Sequence, residues 1–281
     1  MSSNKAFKNL ARLGFLGALS AGIISAIDLK WLEVTEINVN LNTDRKLKIA
    51  HITDLHEFEY GKDNADLIKI IKEQAPDLIC ITGDLVIARY KAYANSLKFL
   101  EELVKLNIPV VYSMGNHEVN FGLTTPSIFD PYLEKVKELG VLVLDDANIS
   151  FDGFKIYGYT NKMCQYPKFK KPYRLKTEEI TEAVGAKPEE PVIMLAHNPI
   201  YFKEYADWGA DLVLSGHLHG GIVRIPGVGG LLSPQTFFST GYTAGLYKEK
   251  GSLMYVSRGL GVHSLPLRVF NRPEIAFINI N

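Results

Sequence analysis

Residues 212–221 read "LVLSGHLHGG": an apolar run ends at Gly216, two histidines flank one leucine, and two more glycines follow. The apolar part suits a buried strand. The remainder does not, because imidazole fills a core poorly and Gly220 and Gly221 weaken any regular element they join. Two of the chain's seven histidines stand here, at alternate positions that share a face in an extended chain. The stretch therefore reads as a strand that ends in a glycine turn and presents His217 and His219 together.

The same grammar recurs. Apolar runs at 47–53 ("LKIAHIT"), 77–82 ("DLICIT"), 108–113 ("IPVVYS"), 192–196 ("VIMLA") and 211–215 ("DLVLS") each lead into a polar or glycine-containing turn. Continuous rather than alternating apolar runs indicate strands covered on both faces. Helical periodicity appears at 65–74, 94–106 and 132–139, and "WLEVTEINVNL" near 32–41 alternates as a half-buried strand does. From Ile222 to Ile280 the strands are short, glycines are many and helix is scarce, and no 20–50-residue period recurs. The fold class is α/β and layered, with a second half richer in β-structure.

The five turns carry Asp54-Leu55-His56, Gly83-Asp84, Gly115-Asn116-His117-Glu118, His197-Asn198 and Gly216-His217-Leu218-His219. Ligand groups gather at the carboxyl ends of strands in open α/β sheets. Five histidines fall there, whereas His51 and His263 stand outside any motif and are given no role. Any one motif is ordinary, since a lone Asp is more often a cap or turn residue. Their combination after successive apolar runs is not. Imidazoles, carboxylates and one carboxamide suit Mn²⁺, Fe²⁺, Zn²⁺ or Co²⁺, with the first three favoured, and the absence of thiolates disfavours a structural zinc. Seven candidate ligands exceed what one tetrahedral ion takes and suit two ions sharing a carboxylate. Such a pair, ~3.5–4 Å apart, is the usual device for in-line attack on phosphorus.

These motifs in this order resemble the calcineurin-like metallophosphoesterase superfamily over roughly residues 46–281. The resemblance implies an α/β/β/α sandwich with a dinuclear site at the strand ends. It implies Asp54, His56, Asp84 and His219 around one ion, and Asp84, Asn116, His197 and His217 around the other, with Asp84 bridging. His117 takes the family's role of general acid or phosphate-orienting imidazole, with Glu118 supporting it. A narrower resemblance, carried by the N-terminal apolar segment, "GHLHGG", "VSRGLG" (256–261) and "RPEI" (272–275), is to a membrane-associated bacterial branch. Some of that branch are similar to enzymes cleaving UDP-2,3-diacylglucosamine, others to general phosphatases. Leu218 replaces the threonine common between the paired histidines, and the twin-arginine signal of some relatives is missing.

Composition narrows the partners. Lysine plus arginine equals aspartate plus glutamate at 31 each, so no net field draws a polyanion and nucleic acid is not expected. Cys80 lies in an apolar run and Cys164 is far from it, so nothing asks for a disulfide. Residues 1–12 are basic and 13–29 apolar, with no charge over 13–27. A signal peptide, a signal anchor and a surface helix compete for this segment; the uncleaved anchor is favoured, cations inside and the catalytic domain outside the cytoplasm. Residues 30–45 form a leading strand and connection, and 46–281 the catalytic domain. Removing residues 1–30 is expected to leave an active domain, because every candidate ligand lies beyond position 50. The segment 161–176 carries six basic residues, three aromatic rings and no acid. It reads first as a solvated loop, and functionally as a rim meeting anionic headgroups. The expected substrate is a phosphorylated small molecule or lipid. The alternatives are a general phosphatase or nucleotide phosphodiesterase, and a metal-binding interaction module without turnover.

Overall fold

A computed structural model describes residues 19–168, 170–225, 227–231, 241–262 and 267–281. The apolar runs become the central strands of two six-stranded sheets. The first has the order β1(Glu33–Val39)–β14(Glu274–Ile280)–β2(Leu47–Ile52)–β3(Leu78–Ile81)–β4(Val110–Ser113)–β5(Leu142–Leu144). The second has the order β12(Gly245–Glu249)–β13(Ser252–Val256)–β9(Leu212–Ser215)–β8(Val192–Ala196)–β7(Phe154–Tyr159)–β6(Ala147–Phe151). Strands β2 to β5 run parallel, as do β7, β8, β9 and β13. Each parallel set therefore puts its carboxyl ends on one edge.

Alternation within the apolar runs builds the layers. Leu78 and Cys80 of β3 join Leu212 and Leu214 of β9 in a core between the sheets, while Ile79 and Ile81 point the other way. There they meet helices α2(Ala65–Gln74), α3(Ala94–Val104), α4(Asn116–Thr124) and α5(Pro126–Glu138). The outer face of the second sheet is covered by α6(Thr177–Val184) and α7(Phe202–Trp208). Double coverage explains why the runs are continuous rather than alternating. β1, on an edge, keeps its alternating half-burial and pairs with β14.

Three helices lay outside the sequence expectation: α4, α6 and α7 are short, and α4 begins inside a site motif. Isolated helices of this length are marginal, so tertiary packing forms them. Cys80 and Cys164 are both free. The expected membrane segment is only partly described, since residues 1–12 and 13–18 lie outside the described residues. Residues 19–28 form a helix, α1, and no helix among the described residues is long and apolar enough to cross a membrane. Its last turn is held by protein: Ser25 and Asp28 are buried, and Asp28 Oδ2 accepts from the Asn271 N–H at 3.1 Å.

Candidate metal centre

The carboxyl ends of both parallel sets meet, and all the candidate ligands come with them. Asp54 and His56 follow β2, Asp84 follows β3, Asn116 and His117 open α4 after β4, His197 follows β8, and His217 and His219 follow β9. Asp54, His56, Asp84, His197, His217 and His219 are buried, while Asn116 and His117 are half-buried.

Local backbone geometry serves this convergence at a cost. Asp54, His56, Asp84, His217 and His219 all sit at left-handed φ between 47° and 68°. Such conformations are uncommon outside glycine and cluster at functional sites. Gly83 has φ +90°, and any side chain on it would collide with the backbone of Gly115. Gly216 serves close approach instead: a Cβ there would lie 2.3 Å from Asp54 Oδ2.

Donor separations test whether the group fits a metal. Ligand bonds of ~2.0–2.2 Å put neighbouring donors roughly 3.0–3.6 Å apart around one ion. His56 Nε2 and His219 Nε2 are 3.2 Å apart, and Asp54 Oδ1 lies 3.3 Å from the latter and 3.7 Å from the former. On the other side His197 Nε2 lies 3.2 Å from Asp84 Oδ2, with neither atom in hydrogen-bond geometry. Asn116 Oδ1 is a buried acceptor with no hydrogen-bond partner among the described residues. Two groups able to hold an ion result: Asp54, His56 and His219, and Asp84, His197 and His217. His56 Nε2 is also 3.7 Å from Asp84 Oδ2, so Asp84 reaches both groups. A third grouping, His56, Asp84 and His117, puts His117 against both.

Partners behind the donors set their state. His197 Nδ1 lies 2.6 Å from the Thr82 carbonyl, which accepts its proton and aims Nε2 at Asp84, the nitrogen a cation would take in place of a proton. Asp54 accepts from Thr53 Oγ1 and from the His217 N–H, and Asp84 Oδ1 accepts from the His117 N–H at 2.8 Å. Burial and the neighbouring Asp84 push Asp54 up to about 6. Burial opposes charge on His197, but the Asp84 and Asp54 carboxylates outweigh it and raise its pKa to about 9. Burial also opposes charge on Asp84, yet His197, His117 and His56 hold it well below the usual carboxylate range. Two buried carboxylates thus gather positive charge, which a divalent cation supplies more fully than a proton.

Glu118 does other work than the support of His117 expected of it. Its buried carboxylate accepts from the N–H groups of Asp84, Leu85 and Gly115 and from the Tyr112 hydroxyl. It locks the Asp84 turn to the start of α4. His117 Nδ1 instead accepts from the Ala88 N–H at 3.3 Å, which leaves its proton on Nε2. His51 lies between the sheets, bonded to Thr82 Oγ1, and burial lowers its pKa to about 3; it is a core residue, as its isolation indicated. His263 lies outside the described residues.

Some residues at the site were not singled out by sequence reasoning. Arg89, Asn120, Met163, Tyr166 and Lys168 line the pocket with His117 and His217. The last three come from the basic 161–176 segment, which is therefore a wall at its start rather than only a solvated loop. Asn198 Nδ2 donates to the Gln165 carbonyl and Asn161 Oδ1 accepts from the Asn198 N–H, pinning the turn beside His197. That turn sets the Tyr166 ring 4.8 Å from the His217 ring, edge-on, with its hydroxyl buried and held protonated by burial and by Asp84. The Asn-Pro after His197 was the available signal, but its partners lie more than thirty residues away. The two flagged words "VSRGLG" and "RPEI" meet as well. Glu274 accepts from the Arg258 N–H and guanidinium, and the Gly261 N–H donates to the Asp54 carbonyl.

The chain is 28% identical to metallophosphoesterase YkuE of Bacillus subtilis (strain 168), over 95% of each protein. It is 28% identical to phosphodiesterase YaeI of Escherichia coli (strain K12), over 83% of this chain and 82% of that one. Among solved structures, a dimetal phosphatase from Danio rerio aligns with a TM-score of 0.46 at 13% identity, covering 78% of this chain and 89% of that one. The model of the calcineurin-like phosphoesterase family matches residues 47–221, a span that runs from β2 through the paired histidines, and the chain belongs to that family of phosphoester hydrolases.

Proposed function

We propose that the chain is a dinuclear metallophosphoesterase acting on an anionic, membrane-presented phosphoester. In this reading Asp54, His56, Asp84 and His219 hold one ion, and Asp84, Asn116, His197 and His217 hold the other. The observation that carries it is the mutual approach of His56, His219 and Asp54 donors to 3.2–3.7 Å, a spacing suited to a shared cation. Two divalent ions, Mn²⁺, Fe²⁺ or Zn²⁺ by donor type, would supply Lewis acidity for the hydrolysis of a phosphoester when bound.

The chain's own residues position the ester. His117 offers an Nε2–H, because its Nδ1 accepts from Ala88. That direction supports a role in orienting a phosphoryl or leaving-group oxygen. Tyr166 offers a second protonated donor beside His217. Arg89 and Lys168 put two cations at the pocket mouth, and no carboxylate lines it among the described residues. That charge supports a phosphate ester or pyrophosphate, as a UDP-2,3-diacylglucosamine-like lipid would present.

Membrane attachment through the N-terminal segment, with the catalytic domain outside the cytoplasm, belongs to the same proposal. What supports it is the outward stripe of Leu19, Ile23, Ile27 and Trp31, spaced four residues apart and each more than half exposed. A metal-loaded panel of the full-length chain tests the function. Esters on lipids, including a UDP-linked lipid, are expected to turn over faster than soluble nucleotides. Preference for nucleotides would sink the lipid reading, and two bound ions without any turnover would favour an interaction module.

A further inference from the structure

The N-terminal helix makes contacts that a passive tether does not need. On α1, Ser25 and Asp28 face inward while Leu19, Ile23 and Ile27 face out. Ser25 Oγ accepts from the Arg268 N–H at 2.9 Å. Asp28 Oδ2 accepts from the Asn271 N–H at 3.1 Å, and its other oxygen lies 3.7 Å from Arg272 Nε. Both Arg268 and Asn271 are buried.

Each of these two residues continues inward to the metal centre. Asn271 Nδ2 donates to the His219 carbonyl at 2.7 Å and the Gly221 carbonyl at 2.6 Å. It brackets His219, whose φ of +50° needs such restraint. Gly220 permits the approach, since a Cβ there would lie 2.5 Å from Asn271 Oδ1. Arg268 Nη2 donates to the carbonyls of Arg258, Gly259 and Gly261. The Gly261 N–H then donates to the Asp54 carbonyl at 2.6 Å. Two separate hydrogen-bond routes thus leave α1, and they end on His219 and Asp54. Both belong to the same group of donors. Neither route ends on Asp84, His197 or His217.

We infer that α1 is a positioning element of the metal centre, holding the Asp54–His56–His219 side in its strained geometry through Asp28–Asn271 and Ser25–Arg268. The inference rests on the metal-centre reading above and reverses the expectation that residues 1–30 are dispensable. Loss of a group that orients a ligand from behind typically costs 10–100-fold in metal affinity. The loss here falls on one ion of the two.

The test uses the full chain, stripped and reloaded with Co²⁺, whose visible absorption reports coordination geometry. Affinities are measured by competition with a chromophoric chelator. Asp28→Ala and Asn271→Ala are each expected to weaken one Co²⁺ by about 10–100-fold and change its absorption, leaving the second ion unaffected. Asp28→Asn keeps an oxygen that can accept from the Asn271 N–H and should restore most of the affinity, although it drops the ion pair with Arg272. Unchanged affinities and spectrum in Asp28→Ala would overturn the inference, even with a lowered Tm, because α1 would then only pack. An Asn variant as weak as the Ala variant would overturn the hydrogen-bond route. Asp84→Ala serves as control: if it too keeps both ions, the metal-centre reading has failed rather than this inference.

Discussion

The first sheet brings both carboxylates to the centre, Asp54 and Asp84, together with Asn116, His56 and His117, whereas the second brings imidazoles alone, His197, His217 and His219. The carboxylate turns are also the more heavily braced. Glu118 takes five bonds, from Asp84, Leu85, Val86, Tyr112 and Gly115, that fasten the Asp84 turn to the start of α4, and Thr53 and the His217 N–H both donate to Asp54. On the imidazole side the bracing reaches ring and backbone: Thr82 accepts from His197 and Asn271 holds the His219 carbonyl. A buried anion must be over-determined because its repulsion from a second anion opposes the fold when no cation is present. A neutral imidazole needs only its tautomer and direction set.

The comparison breaks most visibly at Asp84. Asp84→Ala should abolish activity and lose both ions, far beyond the roughly 10–100-fold that an outer partner costs. His217→Ala, on the second sheet, should lose one ion and keep the other. Elemental analysis beside turnover checks this, and equal ion loss in the two variants would remove the distinction between the sheets.

His117→Asn sharpens the question of what the first sheet does besides binding metal. Both ions should stay, and turnover should fall about 100-fold, as when one hydrogen-bond donor to a developing oxyanion is removed. Because Nδ1 accepts from Ala88, the loss should be alike for aryl and alkyl esters. A much larger loss on the alkyl ester would restore general-acid catalysis, which depends on leaving-group basicity.

A smaller effect belongs to the pocket mouth, where the helical-side wall supplies Arg89 and the second-sheet wall supplies Lys168. Replacing either by Gln should raise KM about fivefold with kcat unchanged, in line with ~1 kcal/mol per exposed cation. Steady-state kinetics at two ionic strengths would show the effect shrinking with salt. A fall in kcat alone would move the cation into the chemistry.

The least pronounced contrast separates two buried histidines, one in the core and one in the centre. In metal-stripped protein the pKa of His197 is raised to about 9, so the stability it contributes is present below 6.5 and lost as pH rises towards 9. His51, lowered to about 3, acts oppositely and costs stability as pH falls below 6.5. Thermal unfolding of the stripped chain should therefore decline from pH 6.5 to 9, and saturating metal should abolish that decline. A flat profile in the stripped chain would contradict the charge coupling between the two sheets.

Much of the centre was legible because its residues announce themselves locally. "GHLHGG", "GNHE" and the two aspartate turns each follow a continuous apolar run, and the shortness of these runs, their β-branched residues and the turns after them place them in doubly covered strands. The strands at 47–52, 78–81, 110–113, 192–196 and 212–215 follow from this, as does the gathering of five histidines at their ends. Local pattern says nothing of what approaches from far along the chain. β14 enters between β1 and β2, running antiparallel to β2, because backbone pairing depends on register in space and not on nearby residues. Glu118 looked like the neighbour of His117, yet the first turn of α4 turns its carboxylate onto the Asp84 loop instead. Tyr166 and Lys168 sit in a segment whose charge suggested solvent, until the Asn161–Asn198 network drew its beginning into the pocket. The apolar N-terminal segment suggested lipid on composition. Only the folded chain shows Ser25 and Asp28 meeting Arg268 and Asn271 some 243 positions away, since hydrogen-bond complementarity between distant segments has no signature in either segment alone. Residue type and period determined which groups can bind a metal and phosphate; long-range backbone pairing decided which group stands behind each of them.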